Sequence, residues 1–158
     1  MKTKTPPKKR CTECGETTFH GGRKTKTWRF EGRKFEVSMP ALICTRCGTA
    51  RFAIQAIEAA EKLIASNLAK FGPVTGETFA FMRKVLRVKS GELAEWLQVA
   101  PETVSRWENG KRDIDRPAWI TVGTMMLEAT KSSSGVPDLR SRFAALERVP
   151  KKKTELKV

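Results

Sequence analysis

The sequence predicts a two-domain protein in which a small β-rich domain precedes an all-α domain. Three observations carry this prediction. Two pairs of cysteines, each with a gap of two residues, frame the first fifty residues. Between them, apolar and polar residues alternate with the period of a strand. From residue 53 to residue 130, apolar residues instead recur every three or four positions, which is the period of a helix.

The charge of the chain favours a polyanionic partner. Lys and Arg number 31 against 17 Asp and Glu, for a net charge of +14. This excess points to nucleic acid before an anionic membrane surface, although basic tails on an ordinary protein would give the same total. Residues 73–130 are neutral overall, so the excess lies toward the two ends. With one His and no Tyr, the chain has few groups for acid–base catalysis, and we expect that it is not an enzyme.

The N-terminal domain is predicted over residues 11–52, after a disordered basic tail of residues 1–10 that is rich in Lys and Pro. Residues 27–30 and 34–37 alternate apolar and polar side chains, and the Glu31-Gly32-Arg33 segment between them is a turn signal. A unit of about forty residues buries few large side chains, so we expect a covalent or metal cross-link to hold it.

The cysteines form two matched pairs, Cys11 with Cys14 and Cys44 with Cys47, and a glycine follows each pair. A gap of two residues lets one tight turn direct both sulfurs at one point, and two such turns make a closed tetrahedral site of four thiolates. This donor set favours Zn²⁺, so we expect one structural zinc ion.

Three other interpretations of the cysteines stay open. Two disulfides would need an oxidising compartment, and a redox-active pair would need a βαβ scaffold that the sequence lacks. Iron in the same cage would make a rubredoxin-like electron carrier, against which the basic composition and the long helical extension argue. His20 is expected on the surface of the hairpin, because four thiolates already complete the metal shell.

Residues 53–72 are predicted as an amphipathic linker helix that ends at Gly72-Pro73. Residues 73–130 then read as a helix-turn-helix domain, with the motif itself in residues 90–110. Ser90 is a natural N-cap, and Pro101 suits the first position of a second helix. Val104 and Trp107 are expected to face inward. An ordinary small helical domain without DNA binding is the alternative.

If the motif binds DNA, its second helix lies in the major groove and presents Glu102, Thr103 and Arg106 to the bases. Arg106 is the strongest candidate, since a guanidinium bonds guanine O6 and N7 together. Glu102 either accepts from cytosine N4 or caps the helix. Just beyond the helix, three polar residues are expected at phosphates, with a solvated turn as the alternative: Asn109, Lys111 and Arg112.

Residues 131–158 are predicted to form a linker, a short helix and a basic C-terminal tail. No apolar run approaches the roughly 18–20 residues that cross a bilayer, so we expect no membrane partner. The first ten residues lack the apolar stretch of a secretory signal. The expected location is therefore cytoplasmic.

With both motifs in view, the chain resembles the MqsA family of type II antitoxins over roughly residues 10–130. The resemblance rests on CTEC, the aromatic hairpin, ALICTRC, the amphipathic helix and VSRWENGKR. It implies a YgiT-type zinc finger followed by a helix-turn-helix of the Xre class, which is λ-repressor-like. It also implies that the four cysteines, Cys11, Cys14, Cys44 and Cys47, hold the zinc.

The resemblance further implies a homodimer that binds a palindromic double-stranded operator and represses its own operon. The zinc domain would neutralise a protein toxin, typically an mRNA-cutting ribonuclease. Arg106 matches a base-reading arginine of the family, and Glu102 matches a base-reading position that is often Asn. Gln98 stands where related motifs often have Gly. A stand-alone Xre-type regulator is the alternative, and a co-transcribed small reading frame beside the gene would favour the antitoxin.

Overall fold

The structure, a computed structural model, describes residues 10–130. The C-terminal linker, helix and tail predicted for residues 131–158 lie outside this range, as does the N-terminal tail apart from Arg10. A three-stranded antiparallel sheet comes first, in the order β1-β2-β3, and five helices follow it. A β-rich N-terminal part followed by an α-helical part is therefore confirmed. The elements are β1 (Phe19–Phe30), β2 (Arg33–Cys44), β3 (Ala50–Phe52), α1 (Ile54–Phe71), α2 (Gly76–Val85), α3 (Ser90–Trp96), α4 (Pro101–Glu108) and α5 (Arg116–Ala129).

The hairpin of β1 and β2 is much longer than the two short strands that alternation indicates. Each strand has 12 residues, and pairing runs from Phe30 opposite Arg33 to Phe19 opposite Cys44. Gly32 makes the turn with a φ of 70°, which glycine adopts without a steric penalty. Glycines and basic residues in the first half of β1 hide the alternation there, because that half buries little.

Helix α1 spans Ile54–Phe71 and buries a narrow face made largely of alanine. The small side chains let α1 lie close to α2 and α5, which it contacts along with β2. Three large apolar residues of this predicted amphipathic helix stay exposed: Ile54 at 66%, Leu63 at 50% and Phe71 at 48%. The predicted helix is confirmed, but its buried face is displaced toward Ala60, Ile64, Ala65, Leu68 and Ala69.

One cluster of buried side chains joins the turn end of the hairpin to the helices. The ring of Phe30 lies 4.9 Å from that of Phe81 on α2, and Arg33 donates a hydrogen bond to the carbonyl oxygen of Phe71 at 2.9 Å. Deeper among the helices, the Phe79 ring lies 5.9 Å from Trp107. In the part of the chain that the structure describes, no helix combines the length and apolar character that crossing a membrane requires.

Candidate metal centre and helical surface

The two cysteine turns are held by the same pair of backbone hydrogen bonds. In the first, Cys11 N–H donates to the Glu16 carbonyl at 2.7 Å, and Gly15 N–H donates back to the Cys11 carbonyl at 3.0 Å. In the second, Cys44 N–H donates to the Thr49 carbonyl at 2.9 Å, and Gly48 N–H donates to the Cys44 carbonyl at 3.0 Å. The two glycines are left-handed, with φ of 73° and 71°, as the turns require.

The hairpin brings these turns together, because Cys44 is the last residue of β2 and Phe19 pairs with it. All four sulfurs lie within 4.8 Å of one another. The Sγ atoms of Cys11 and Cys47 are 3.6 Å apart, as are those of Cys14 and Cys44. A tetrahedral ion with metal–sulfur bonds of about 2.3 Å would separate its ligands by roughly 3.8 Å. The four cysteines can therefore hold a metal ion, and their spacing does not match disulfides of about 2.05 Å.

The thiols differ in how readily they lose a proton. A hydrogen bond with the Thr49 side chain lowers the pKa of Cys47 to about 6. Cys14 is affected in both directions. A backbone hydrogen bond at Glu16 favours its thiolate, but desolvation and the three neighbouring sulfurs outweigh it and raise the pKa of Cys14 to about 12. Four negative charges this close repel one another, so a cation is needed to keep all four thiolates together.

Four ligands leave a tetrahedral ion no open position for a substrate, so the site suits a structural role. Cys11 and Cys44 are buried, Cys14 is half-buried and Cys47 is exposed. His20 lies on the exposed part of β1, opposite Ile43, and does not belong to the sulfur cluster. The structure thus brings the four predicted ligand residues together.

On the helical side, α3 and α4 are joined by a four-residue turn. Val99 N–H donates to the Ala94 carbonyl at 3.0 Å, and Gln98 is left-handed with a φ of 52°. Pro101 occupies the first turn of α4, where its missing N–H removes no helical hydrogen bond. Val104 and Trp107 are buried at 0% and 1% exposure. The other side of α4 consequently faces outward.

An open groove of about 480 Å³ lies along this outward side. It brings together Glu102, Arg106, Asn109 and Lys111, four of the six residues predicted to contact DNA. Thr103 is half-buried instead of fully outward, because it lies beside buried Val104 on the helix. Arg112 is exposed outside the groove and pairs with Asp115 at 3.7 Å.

Three more residues line the groove that the sequence analysis does not assign to a DNA-binding surface: Ser90, Pro101 and Ser105. Ser90 is the first residue of α3 and not the N-cap, so its hydroxyl is not committed to capping that helix. Ser105 lies three residues after Glu102 and four before Asn109, and this spacing could have found it. The Asn109 side-chain amide donates to the Ser105 carbonyl at 2.7 Å, which orients Asn109 at the helix end.

Two contacts between α2 and α4 fix the position of this surface. The Arg83 guanidinium binds Glu108 through two hydrogen bonds, one of 2.9 Å, and donates a third to the Val88 carbonyl at 2.6 Å. Both partners are mostly buried, at 11% and 15% side-chain exposure. Gly76 meets the end of α4 so closely that a Cβ there would lie 2.2 Å from the Trp107 carbonyl oxygen.

Searches of protein-family models and of curated proteins find no match to this chain. The resemblance to the MqsA family thus stays a prediction that rests on the two motifs.

Proposed function

We propose that this protein is a sequence-specific, double-stranded DNA-binding transcriptional regulator whose N-terminal sheet is held by one zinc ion. The observation that carries this proposal is the surface of α4. That helix buries Val104 and Trp107 and turns Glu102, Ser105, Arg106 and Asn109 outward along a groove.

The α3–turn–α4 unit has the dimensions of a helix-turn-helix. An α-helix with its side chains is about 10–12 Å across, and the major groove of B-DNA is about 12 Å wide, so the exposed side of the 8-residue helix α4 can enter that groove. Placed there, Arg106 would bond guanine O6 and N7, and Glu102 would accept from cytosine N4. Asn109, Lys111 and Ser90 at the ends of the groove would contact phosphates and fix the register.

Charge supports the same assignment. The helical part is neutral overall, whereas the chain as a whole carries +14. We expect the neutral helical part to read bases and the basic segments elsewhere to attract phosphates. DNA binding should therefore weaken steeply as the salt concentration rises.

Zinc is the metal proposed for the four cysteines, with a structural role. Two observations support this proposal: the four sulfurs form a closed set, and each of the two turns that carry them ends in a left-handed glycine. Purified protein should be colourless with one zinc per chain. Red protein with bound iron would instead favour an electron carrier of the rubredoxin type.

An antitoxin role, with a toxin bound by the sheet and a homodimer on a palindromic operator, is proposed on the resemblance alone. A stand-alone regulator fits the same surface of α4. Co-expression with the product of an adjacent small reading frame distinguishes the two, because a toxin would be lethal alone and harmless with this protein.

DNA binding is tested by selecting bound sequences from a random double-stranded library with the full chain. We expect one enriched site, and replacing Arg106 by Ala should weaken binding to it by about 1–3 kcal/mol and relax one base pair. Lys111→Ala is the comparison variant, because Lys111 lies at the end of the groove. Loss of a phosphate contact there should weaken binding to all sequences alike and lower the salt slope by about one. If no sequence is enriched, or Arg106→Ala weakens random DNA equally, the proposed base reading is wrong.

A further inference from the structure

Strand β1 presents a long free edge. It is one of the two edge strands of the sheet, and within residues 10–130 no other strand pairs with its outer side. Along an edge strand, alternate residues direct their backbone N–H and C=O groups outward, and such a row can pair with a strand of another chain. At 12 residues, β1 offers such a row over its full length.

The edge is strongly basic. Residues of β1 include four Lys and Arg and no Asp or Glu. Arg29 lies directly opposite Lys34, and like charges in this position repel one another. Two of the four basic residues of β1 have partners within the sheet: Arg23 donates to the Ser38 carbonyl at 2.6 Å, and the Lys26 ammonium lies 4.9 Å from the centre of the Trp28 ring. On β2, Lys34 pairs with Glu36. Lys24 and Arg29 are both exposed.

An apolar depression of about 840 Å³ lies across the metal-centre end of the sheet and is lined by residues of all three strands, β1 included. Its lining includes Phe19, Leu42 and Phe52, with Leu42 55% exposed. Gly21 also lines it, and nothing lies within 4 Å of the position that a Cβ would take there. The face of the sheet is therefore open beside Gly21, where a side chain of a strand added at the edge of β1 can reach the depression.

We propose that the outer edge of β1 binds an extended, acidic strand of a partner protein, which seats one apolar side chain in this depression. A second copy of β1 does not fit, because its basic residues would oppose those of the first. Nucleic acid would use the charge but neither the outward amide and carbonyl row nor the depression. This inference deepens the proposed antitoxin role, in which the sheet binds a partner protein. It does not depend on DNA binding by α4, so its failure would leave the DNA-binding proposal intact.

The test uses the full metal-loaded chain and a ten-residue peptide that alternates Glu with Thr and has one central Leu. Binding is measured by calorimetry, and its place by amide hydrogen exchange. We expect saturable binding with slower exchange along β1. The same peptide with Lys in place of Glu, and one N-methylated on alternate residues to block strand pairing, should each bind at least tenfold more weakly.

Variants of the protein separate this edge from general charge. Lys24→Glu combined with Arg29→Glu should weaken binding at least tenfold, and Leu42→Ser should weaken it severalfold. The matched control, Lys62→Glu with Lys84→Glu, changes two exposed basic residues on α1 and α2 and should leave affinity unchanged. Metal content and circular dichroism establish that each variant is folded.

Several results would overturn the proposal. One is that the acidic peptide shows no binding at millimolar concentration, and another is that the N-methylated peptide binds as tightly as the unmodified one. The third such result is an equal loss of affinity in the Lys24→Glu/Arg29→Glu variant and in the Lys62→Glu/Lys84→Glu control. A ten-nucleotide oligothymidylate that displaces the peptide and itself leaves amide exchange along β1 unchanged would assign the basic surface to nucleic acid and would also overturn the proposal.

Discussion

Replacing Gly76 by Ala should force helices α2 and α4 apart at their closest contact. A Cβ at residue 76 would lie 2.2 Å from the Trp107 carbonyl oxygen and 2.7 Å from that of Glu108. Both are backbone atoms, so no side-chain rotation relieves the overlap. To restore an ordinary contact of roughly 3.2 Å, α2 and α4 must move apart by about 1 Å, which disturbs the close packing between them.

Two opposing effects decide the sign of the change. In a helix without this contact, Gly→Ala is stabilising by up to about 1 kcal/mol. Overpacking typically costs about 1–3 kcal/mol and more where backbone is the obstacle, and here the separation also strains the Arg83–Glu108 pair. We therefore expect a net loss of about 2 kcal/mol in the free energy of unfolding, or a fall of about 4–8 °C in Tm.

Thermal and urea unfolding followed by circular dichroism measure this loss. The matched control is Gly91→Ala on α3, where an added Cβ meets nothing within 4 Å. That variant should be as stable as the wild type or up to about 1 kcal/mol more stable. If Gly76→Ala proved as stable as Gly91→Ala, the close approach of α2 to α4 would be refuted.

Three more predictions follow from the structure. Gln98→Gly should raise the free energy of unfolding by about 0.5–1 kcal/mol in urea titrations, because glycine removes the left-handed penalty at a φ of 52°; a loss of stability would contradict that conformation. Glu108→Gln should cost about 2–3 kcal/mol by the same assay, since Arg83 would stay mostly buried without its counter-charge, whereas an unchanged stability would show that the pair is solvated. Metal affinity, measured against a chromophoric chelator, should weaken at least about tenfold as the pH falls from 8 to 7. The reason is that Cys14, with a pKa of about 12, is protonated in the metal-free protein and must lose its proton when the metal binds, so acid favours release of the metal. A pH-independent affinity would mean that Cys14 is not a ligand.

The sequence reveals most about the fold where local chemistry is strict. The two cysteine pairs, the turn at Gly32 and the helix ending before Gly72-Pro73 all appear in the structure where their residues predict them. The full length of the hairpin is not readable, because the first half of β1 is exposed and carries basic residues and glycine in place of an alternating pattern. The buried face of α1 is equally hidden, since alanine packing depends on which helix lies opposite.

At the candidate site, residue spacing along α4 predicts well which side chains face outward. It does not predict the contacts with α2 that hold α4 in place. Arg83 and Glu108 are 25 residues apart, and a pair between α2 and α4 has no local signature. Thr103 shows the other limit. A threonine adjacent to a buried valine lies at the border of a helix face, and only the packing of neighbouring helices decides how much of it stays accessible.

The hairpin is anchored differently at its two ends. Its turn rests on aromatic side chains of the helices, and its open end terminates in the sulfur cluster roughly 37 Å away. Removal of a bound metal ion should accordingly loosen only the cysteine end of the hairpin. Backbone hydrogen bonds between β1 and β2 should then open most often near Phe19 and least often near Phe30. The supply of the proposed zinc ion would then set the stiffness of the sheet while leaving the helices as they are.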